Sequence, residues 1–434
     1  MKVTIKKSSL SGDMTIPGSK SQTIRAVLMS MLADGTSVIH NPLPSSDGLS
    51  AYSAATALGA QITREPERWI VRGTAGQPRV PASVIDTGNS GTTTSFVTGI
   101  CSLLEGSAEI TGDEQIQSRP VRPEIEALAE LGAAVKILRP GSDCPPVRVG
   151  GRIHGGVCHV PGYNSQHVSG ILVPGALVPA GESVTIEVAD PKEASYIQLT
   201  IDWMKKFGVT AEASADGRRF SVQGGQRYRA SEVTVSGDWS GVAFPLVAAV
   251  CTDSRVTIHG ADFDDPQGDK RVVQILRSMG ADIRADRERG TLEVYGGRPL
   301  HGITIDMDDI PDALPALTVA ACRADGETHF TTLAHIRVKE SDRVAVMQEE
   351  LSRCGADVSC SADDMVIRGG RPLHGAAVNC HKDHRVAMAM AVCGMMADGT
   401  MEIDGAECAD VSFPGFYELF ASAGAHFVCR ERMA

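Results

Sequence analysis

A chain of 434 residues exceeds what one ordinary hydrophobic core supports, so two domains are expected. With 42% hydrophobic and 22% charged residues it has a soluble globular composition, and a formal charge of −12 argues against general binding to nucleic acid or anionic membranes. Its eleven cysteines are scattered and never as close as C-x-x-C, which argues against a disulfide framework or structural zinc and fits reduced thiols in a cytoplasm, most of them buried as small hydrophobes.

In chain order, the opening MKVTIKKSSL carries charge and no signal-peptide apolar region, and no uninterrupted apolar run reaches membrane-spanning length. IPGSKSQTIRA (16–26) then leads into an apolar helical pattern. It has the look of a phosphate loop, but Ser19 stands where G-x-x-x-x-G-K-[ST] needs its second glycine. From there one unit recurs six times. A helix-like stretch stops at a small-residue turn before a strand in ALGAQI (57–62), ELGAAVKI (130–137), KFGVTA (206–211), SMGADIRA (278–285), RCGADVSC (353–360) and SAGAHFVC (422–429). The marker glycines lie 69 to 76 residues apart.

A second marker runs in phase with the first: LADGTSVIH, LLEGSAEIT, PAGESVTIEV, TDSRVTIHG, RADGETHFT and MADGTMEID each end a helical stretch and begin alternation. A third, GGRPLHG, occurs at 296 and 369, with a weaker GGRIHGG at 150. Each unit reads as strand, helix, strand, helix and further strands, with a glycine suited to a left-handed cap after the helix. Such units cannot bury their apolar helices alone, so they must cluster, naturally as three and three, with the pattern restarting near SGDWSG (236–241). The expected class is α/β, in two domains with helices packed inside and sheets outside. The plainer alternative is an ordinary two-domain α/β protein whose duplication has eroded.

Polar clusters fall outside the repeat template, nearly all where a loop enters a helix: GSKSQTIR (18–25), DTGNSGTT (86–93), QSRPVRP (117–123), GYNSQ (162–166), ASYIQ (194–198), DDIPDA (308–313), IRVKESDR (336–343) and KDHR (382–385). Helix starts present unpaired N–H groups and a positive dipole end, so they favour anions. Lys20, Arg25, Arg119, Lys339, Arg343 and Arg385 are cations at such starts, disfavoured there unless they meet an anion, and arginine forks suit carboxylate and phosphate. Asp312, Glu340 and His384 lie among them, a set fit for proton transfer, with Asp312 a credible base toward a hydroxyl. Taken singly, Asp312 also fits a helix cap, Glu340 and Arg343 a surface ion pair, and DTGNSGTT a plain turn. His381 and His384 lack an H-E-x-x-H pattern, and no metal is expected.

PGSKS…R, GNSGT, RP, SQ, Y-I, IPDA, RVKESDR, DHR and SFPGF stand in the order found in 5-enolpyruvylshikimate-3-phosphate synthases, which the chain resembles along essentially its whole length. The resemblance implies a two-domain inside-out α/β barrel with three βαβαββ repeats per domain, one domain of residues 20–235 and the other of 1–19 plus 236–434, with the active site in the cleft between them. It further implies an enzyme, a 1-carboxyvinyltransferase of chorismate and aromatic amino-acid biosynthesis. The enolpyruvyl group of phosphoenolpyruvate passes to the 5-hydroxyl of shikimate 3-phosphate through a tetrahedral intermediate, and phosphate leaves. No metal or organic cofactor, nucleic acid or membrane is implied, and a cytoplasmic monomer is expected.

By the same resemblance Lys20, Gly91, Arg119, Gln166, Arg343, His384 and Arg385 hold phosphoenolpyruvate, while Ser21, Arg25, Asn164, Ser165, Gln166, Tyr196, Asp312, His335 and Lys339 hold the acceptor. Asp312 would be the base, Glu340 the proton handler at C3, and Lys20 the neutraliser of the leaving phosphate. The chain departs from the family pattern at Val411, where many members have a lysine, with Arg122 a candidate replacement. It departs also at Ser95, Asn164, Glu193 and His335. Glu193 stands where a serine would meet the acceptor's phosphate, which leaves open a paralogue for another hydroxyl acceptor or one that only binds anions. The cell-wall relative with the same chemistry uses a cysteine before RP, and here none lies between Cys101 and Cys144. A sliding clamp would need cations on inward helix faces, whereas these helices are apolar.

Overall fold

A computed structural model of the chain describes residues 1–430, which form two units: Met1–Pro17 together with Ser236 onward, and Gly18–Val235. The most apolar helical stretches are buried all round. Trp239–Cys251 is buried at all thirteen positions, and His384–Met396 and Lys20–Leu32 at twelve of thirteen each. A helix apolar on every face has to sit in an interior. In the 236–430 unit, Trp239–Cys251, Leu314–Arg323 and His384–Met396 pack pairwise on one another. In the 18–235 unit, Gly91–Cys101 packs against both Lys20–Leu32 and Ser165–Gly175. The remaining helices are one-sided; Arg271–Ser278 buries only Val272, Val273 and Leu276.

Around these helices lie six four-stranded sheets of a single topology, three in each unit. Thr304–Asp306 runs parallel to Glu327–Thr331, which pairs antiparallel with Met365–Arg368, which pairs antiparallel with the edge strand Asp357–Cys360. Strands alternate buried and exposed residues, as sheets covered on one face do. The βαβαββ organisation and the placement of helices within sheets are those the repeats lead one to expect. Gly59, Gly132, Gly208, Gly280, Gly355 and Gly424 all take positive φ, from 78° to 112°, just beyond their helices. Among the described residues no helix is long and apolar enough to cross a membrane.

The repeats are not bounded where the sequence alone would cut them. Ser11–Thr15, which precedes the helix Lys20–Leu32 of the 18–235 unit, pairs in parallel with Arg255–His259 within its own unit. Glu232–Thr234, which precedes Trp239–Cys251, pairs with Thr36–His40. The chain thus passes from one unit to the other at Pro17–Gly18 and Val235–Ser236. The chain's own start completes the last repeat: Lys2–Lys6 lies between Thr400–Asp404 and His426–Arg430, antiparallel to both.

Two glycines set the closest helix crossing. A Cβ on Gly99 would lie 1.8 Å from the carbonyl oxygen of Gly170, so the helices Gly91–Cys101 and Ser165–Gly175 touch backbone to backbone. In an open helix Gly→Ala stabilises by about 0.5–1 kcal/mol. At this crossing Gly99→Ala is expected to do the reverse and cost about 1–3 kcal/mol through overpacking. Denaturant melts at two protein concentrations measure it; an unchanged or raised midpoint would show that the crossing yields.

Candidate active site

In the 236–430 unit the site is built on Arg343, the first residue of the helix Arg343–Arg353 and wholly buried. Its fork reaches three carboxylates: Nε donates to Asp383 Oδ2 at 2.9 Å, Nη1 to Asp312 Oδ1 at 2.7 Å, and Nη2 to Glu340. Arg385 Nη2 donates to the other oxygen of Asp312 at 2.7 Å. Only a planar, multiply donating cation can bind three partners in this way. Asp383 also accepts from the backbone N–H of Arg385 at 2.9 Å and from Ser341 Oγ at 2.9 Å, which fixes the start of His384–Met396.

The loop ahead of Arg343 is held by its own charges. Arg337 Nη1 donates to both oxygens of Asp342, at 3.0 and 2.9 Å, while Asp342 caps the helix through the N–H of Ala345. Lys339 and Glu340 lie on the loop so closed. Asp312 is therefore not a cap; it sits in the short turn Pro311–Ala313 and gives both oxygens to arginines. Nor is Glu340 with Arg343 a surface pair, since the guanidinium is fully buried. Burial pushes the Asp312 carboxyl up, but the Arg385 and Arg343 guanidiniums outweigh it and hold the group well below the usual carboxylate range. His335 and His384 are both buried in this unit.

In the 18–235 unit Lys20 opens the helix Lys20–Leu32, and its Nζ lies 3.0 Å from Asp47 Oδ2, both side chains being nearly buried. Asp47 is a partner that sequence reasoning missed. It belongs to the first turn of Ser46–Ala57, and an acidic first-turn residue was its only signal. Arg25, five residues on, is tied to three groups of the same unit. Its Nε donates to Thr200 Oγ1 (2.9 Å), Nη1 to the Ser21 carbonyl (2.9 Å) and Nη2 to the Tyr196 carbonyl (3.1 Å), with the Phe96 ring 5.1 Å away. It thereby pins the helix Lys20–Leu32 to Ala194–Lys206, and brings Ser21, Arg25 and Tyr196 together.

Gly91 begins Gly91–Cys101, and a Cβ there would meet Arg119 Nη1 at 2.7 Å and Gln166 Oε1 at 3.3 Å. The absent side chain is what lets Arg119 and Gln166 converge over this helix start. Gln166 Nε2 in turn donates to Thr92 Oγ1 at 3.0 Å. Asn164 caps Ser165–Gly175 by accepting from the N–H of Gln166 at 3.0 Å. Ser165 is taken by Glu193, whose buried carboxylate accepts from the serine N–H at 3.3 Å and Oγ at 2.6 Å. Glu193 holds this position in the left-handed backbone region (φ 56°).

The other departures have plain structural settings. Ser95 donates to the buried Glu124, whose carboxyl is pushed well up by burial even though that hydrogen bond lowers it. Arg122, the candidate replacement for a lysine at 411, is met by acids of its own neighbourhood. Its half-buried side chain is engaged by Asp143 and Glu126. Val411 ends the turn Ala406–Val411, beside the aromatic cluster of Phe413, Phe416, Tyr417 and Phe420.

These arrangements can be set beside known proteins. A model of the family EPSP synthase (3-phosphoshikimate 1-carboxyvinyltransferase) matches residues 5–420. The chain is 40% identical to 3-phosphoshikimate 1-carboxyvinyltransferase of Ruminiclostridium cellulolyticum over 424 residues, 98% of this chain and 99% of that one. It is 40% identical to the enzyme of the same name from Halobacterium salinarum over 432 residues, again 98% and 99%. A solved structure of EPSP synthase from Acinetobacter baumannii superposes with a TM-score of 0.83 at 28% identity, over 99% of this chain and 100% of that one.

Proposed function

The chain belongs to the EPSP synthase family, and from that premise we propose that it transfers the enolpyruvyl group of phosphoenolpyruvate to the 5-hydroxyl of shikimate 3-phosphate, releasing phosphate on the route to chorismate. The observation that carries the reading is Asp312, a carboxylate held between two arginine forks with Glu340 on one of them. Anionic phosphoenolpyruvate competes for those guanidiniums. As its carboxylate or phosphate draws Arg343 and Arg385, Asp312 loses the charges that depress its pKa and becomes a better base toward the acceptor hydroxyl. The hydroxyl oxygen adds to C2 while C3 takes a proton, a step this reading assigns to Glu340; the tetrahedral adduct then expels phosphate. Lys20, with Arg119 and Gln166 over Gly91, serves the phosphate that leaves. Addition and elimination move protons and a leaving group without redox change, so the residues themselves suffice for the chemistry.

Following inorganic phosphate with phosphoenolpyruvate and shikimate 3-phosphate tests the reading. Release is expected only with both present. Release with a different alcohol alone would replace the acceptor, and none with any alcohol would leave an anion-binding protein.

Glu193 supports attention to the acceptor. Its carboxylate already occupies Ser165, a group this reading assigns to the acceptor, and two like charges 4 Å apart repel by about 4 kcal/mol at an effective dielectric near 20. Glu193→Ser is therefore expected to lower the Kd of shikimate 3-phosphate by about tenfold or more, while unphosphorylated shikimate gains little. Titration calorimetry with both ligands measures this; equal gains for the two would place the phosphate away from residue 193.

A further inference from the structure

Two thiols of the 236–430 unit face each other outside the network just described. Cys380 follows the strand Ala377–Asn379, which runs parallel to Thr400–Asp404 with Asn379 opposite Asp404. Cys408 lies in the turn Ala406–Val411 that follows the partner strand. This register brings Cys380 Sγ within 3.2 Å of the carbonyls of Asp404 and Gly405, and Cys408 Sγ stands 3.5 Å from Cys380 Sγ. A cavity of ≈ 620 Å³, lined by His381, Lys382, Glu407 and both cysteines, opens onto the pair.

We propose that Cys380 and Cys408 are a redox modification site, forming a reversible disulfide that acts on the loop carrying Asp383, His384 and Arg385. Closing the gap to the ~2.05 Å of a disulfide asks for a shift of about 1.5 Å. The neighbouring segment is poised to transmit it. His381 and Lys382 both have positive φ, 53° and 58°, and the carbonyl of Cys380 accepts from the N–H of Asp383 at 2.8 Å. Non-glycine residues hold such backbone only where their surroundings fix it. Asp383 in turn holds Arg343 and the start of the helix that bears Arg385.

The oxidant is a peroxide. The Cys380 sulfur attacks its O–O bond, an S–O bond forms, the O–O bond breaks, and one water leaves with the protons of the medium. The Cys408 sulfur then attacks the sulfenic acid; the S–S bond forms, the S–O bond breaks, and a second water departs. The two thiols lose two electrons and the peroxide gains them. The hydrogen bond Cys408 donates holds the Cys380 thiol below its usual value and the Cys408 thiol above it, which favours Cys380 as the first nucleophile; the same disulfide and two waters result if Cys408 attacks first.

The test treats the whole protein with hydrogen peroxide and maps disulfides by mass spectrometry without reduction. The phosphate-release rate is followed before and after dithiothreitol. The expected result is a Cys380–Cys408 crosslink together with a loss of rate on the order of tenfold or more, both reversed by dithiothreitol. Cys408→Ser and Cys408→Ala should start at the wild-type rate and keep it under peroxide, whereas loss of the exposed Cys429 in Cys429→Ser should change nothing. Absence of the crosslink from the mapped protein overturns the proposal whatever the rates do, and so does equal peroxide inactivation of the Cys408 variants. The crosslink is read without reference to turnover, so its outcome is separate from that of the proposed reaction.

Discussion

Replacing Asp312 by asparagine is expected to lower kcat by about 10²–10⁴-fold, the range that general-base catalysis supplies. Asparagine keeps the shape and one acceptor oxygen, so Arg343 and Arg385 retain partial partners while the basic lone pair is lost. Binding of phosphoenolpyruvate should survive, because the arginines meet one fewer negative charge. Single-turnover phosphate release and calorimetry separate the two effects. A kcat within threefold of wild type, with a folded variant, would remove Asp312 from the proton transfer.

The same substitution has a signature in stability. Asp312 is held below its ordinary value by the two arginines, so in the folded state it stays ionised where an unfolded aspartate, near pKa 3.9, already binds a proton. Its contribution is therefore complete above about pH 4 and declines as the pH falls through and below that value. The stability gap between wild type and Asp312→Asn should be full at neutral pH and shrink in acid. A gap that widens in acid would contradict the arrangement.

Arg343→Ala is expected to be the costliest single change in the network. It leaves Asp383, with no exposed side-chain surface, without its guanidinium, and strips one arginine from both Asp312 and Glu340. Removing one partner of a buried ion pair costs about 3–5 kcal/mol, a large share of a domain's net stability. Arg343→Lys should recover only part of it, since an ammonium cannot reproduce the three-way fork. Urea unfolding of both variants, followed by fluorescence and circular dichroism, measures this. If alanine and lysine variants unfold at the wild-type midpoint, the three carboxylates are held by something other than Arg343.

Much of this was legible in the chain because the signals were local. Gly59 and its five counterparts mark helix ends by a backbone requirement that one residue satisfies, so six repeats could be counted directly. Polar residues at helix starts were visible for the same reason. What the sequence withheld depends on contacts between distant segments. Asp47 meets Lys20 across 27 positions, and nothing in SSDGL distinguishes it from a first-turn acid. Arg25 reads as an anion receptor, and its meeting with Thr200 and the carbonyls of Ser21 and Tyr196 could not be read from its place at a helix start. Asn164 reads as a ligand and caps a helix, while the pairing of Ser165 with Glu193 depends on how two helix starts meet. The repeat pattern by itself does not show where Ser11–Thr15 and Glu232–Thr234 pair, because both keep the repeat's local pattern; the division of 1–19 plus 236–434 from 20–235 came from the family resemblance alone.

The position of Lys2–Lys6 bears on biosynthesis. Lys2–Lys6 is an interior strand whose two neighbours, Thr400–Asp404 and His426–Arg430, are made about 400 residues after it. At about 5–20 residues per second this strand must wait roughly 20–80 s without its partners. Residues 18–235, by contrast, hold all three of their sheets within one continuous stretch that is finished before Thr400–Asp404 is made. Vectorial synthesis therefore imposes an order of maturation, and the early, unpaired edge is where a chaperone would have most to protect.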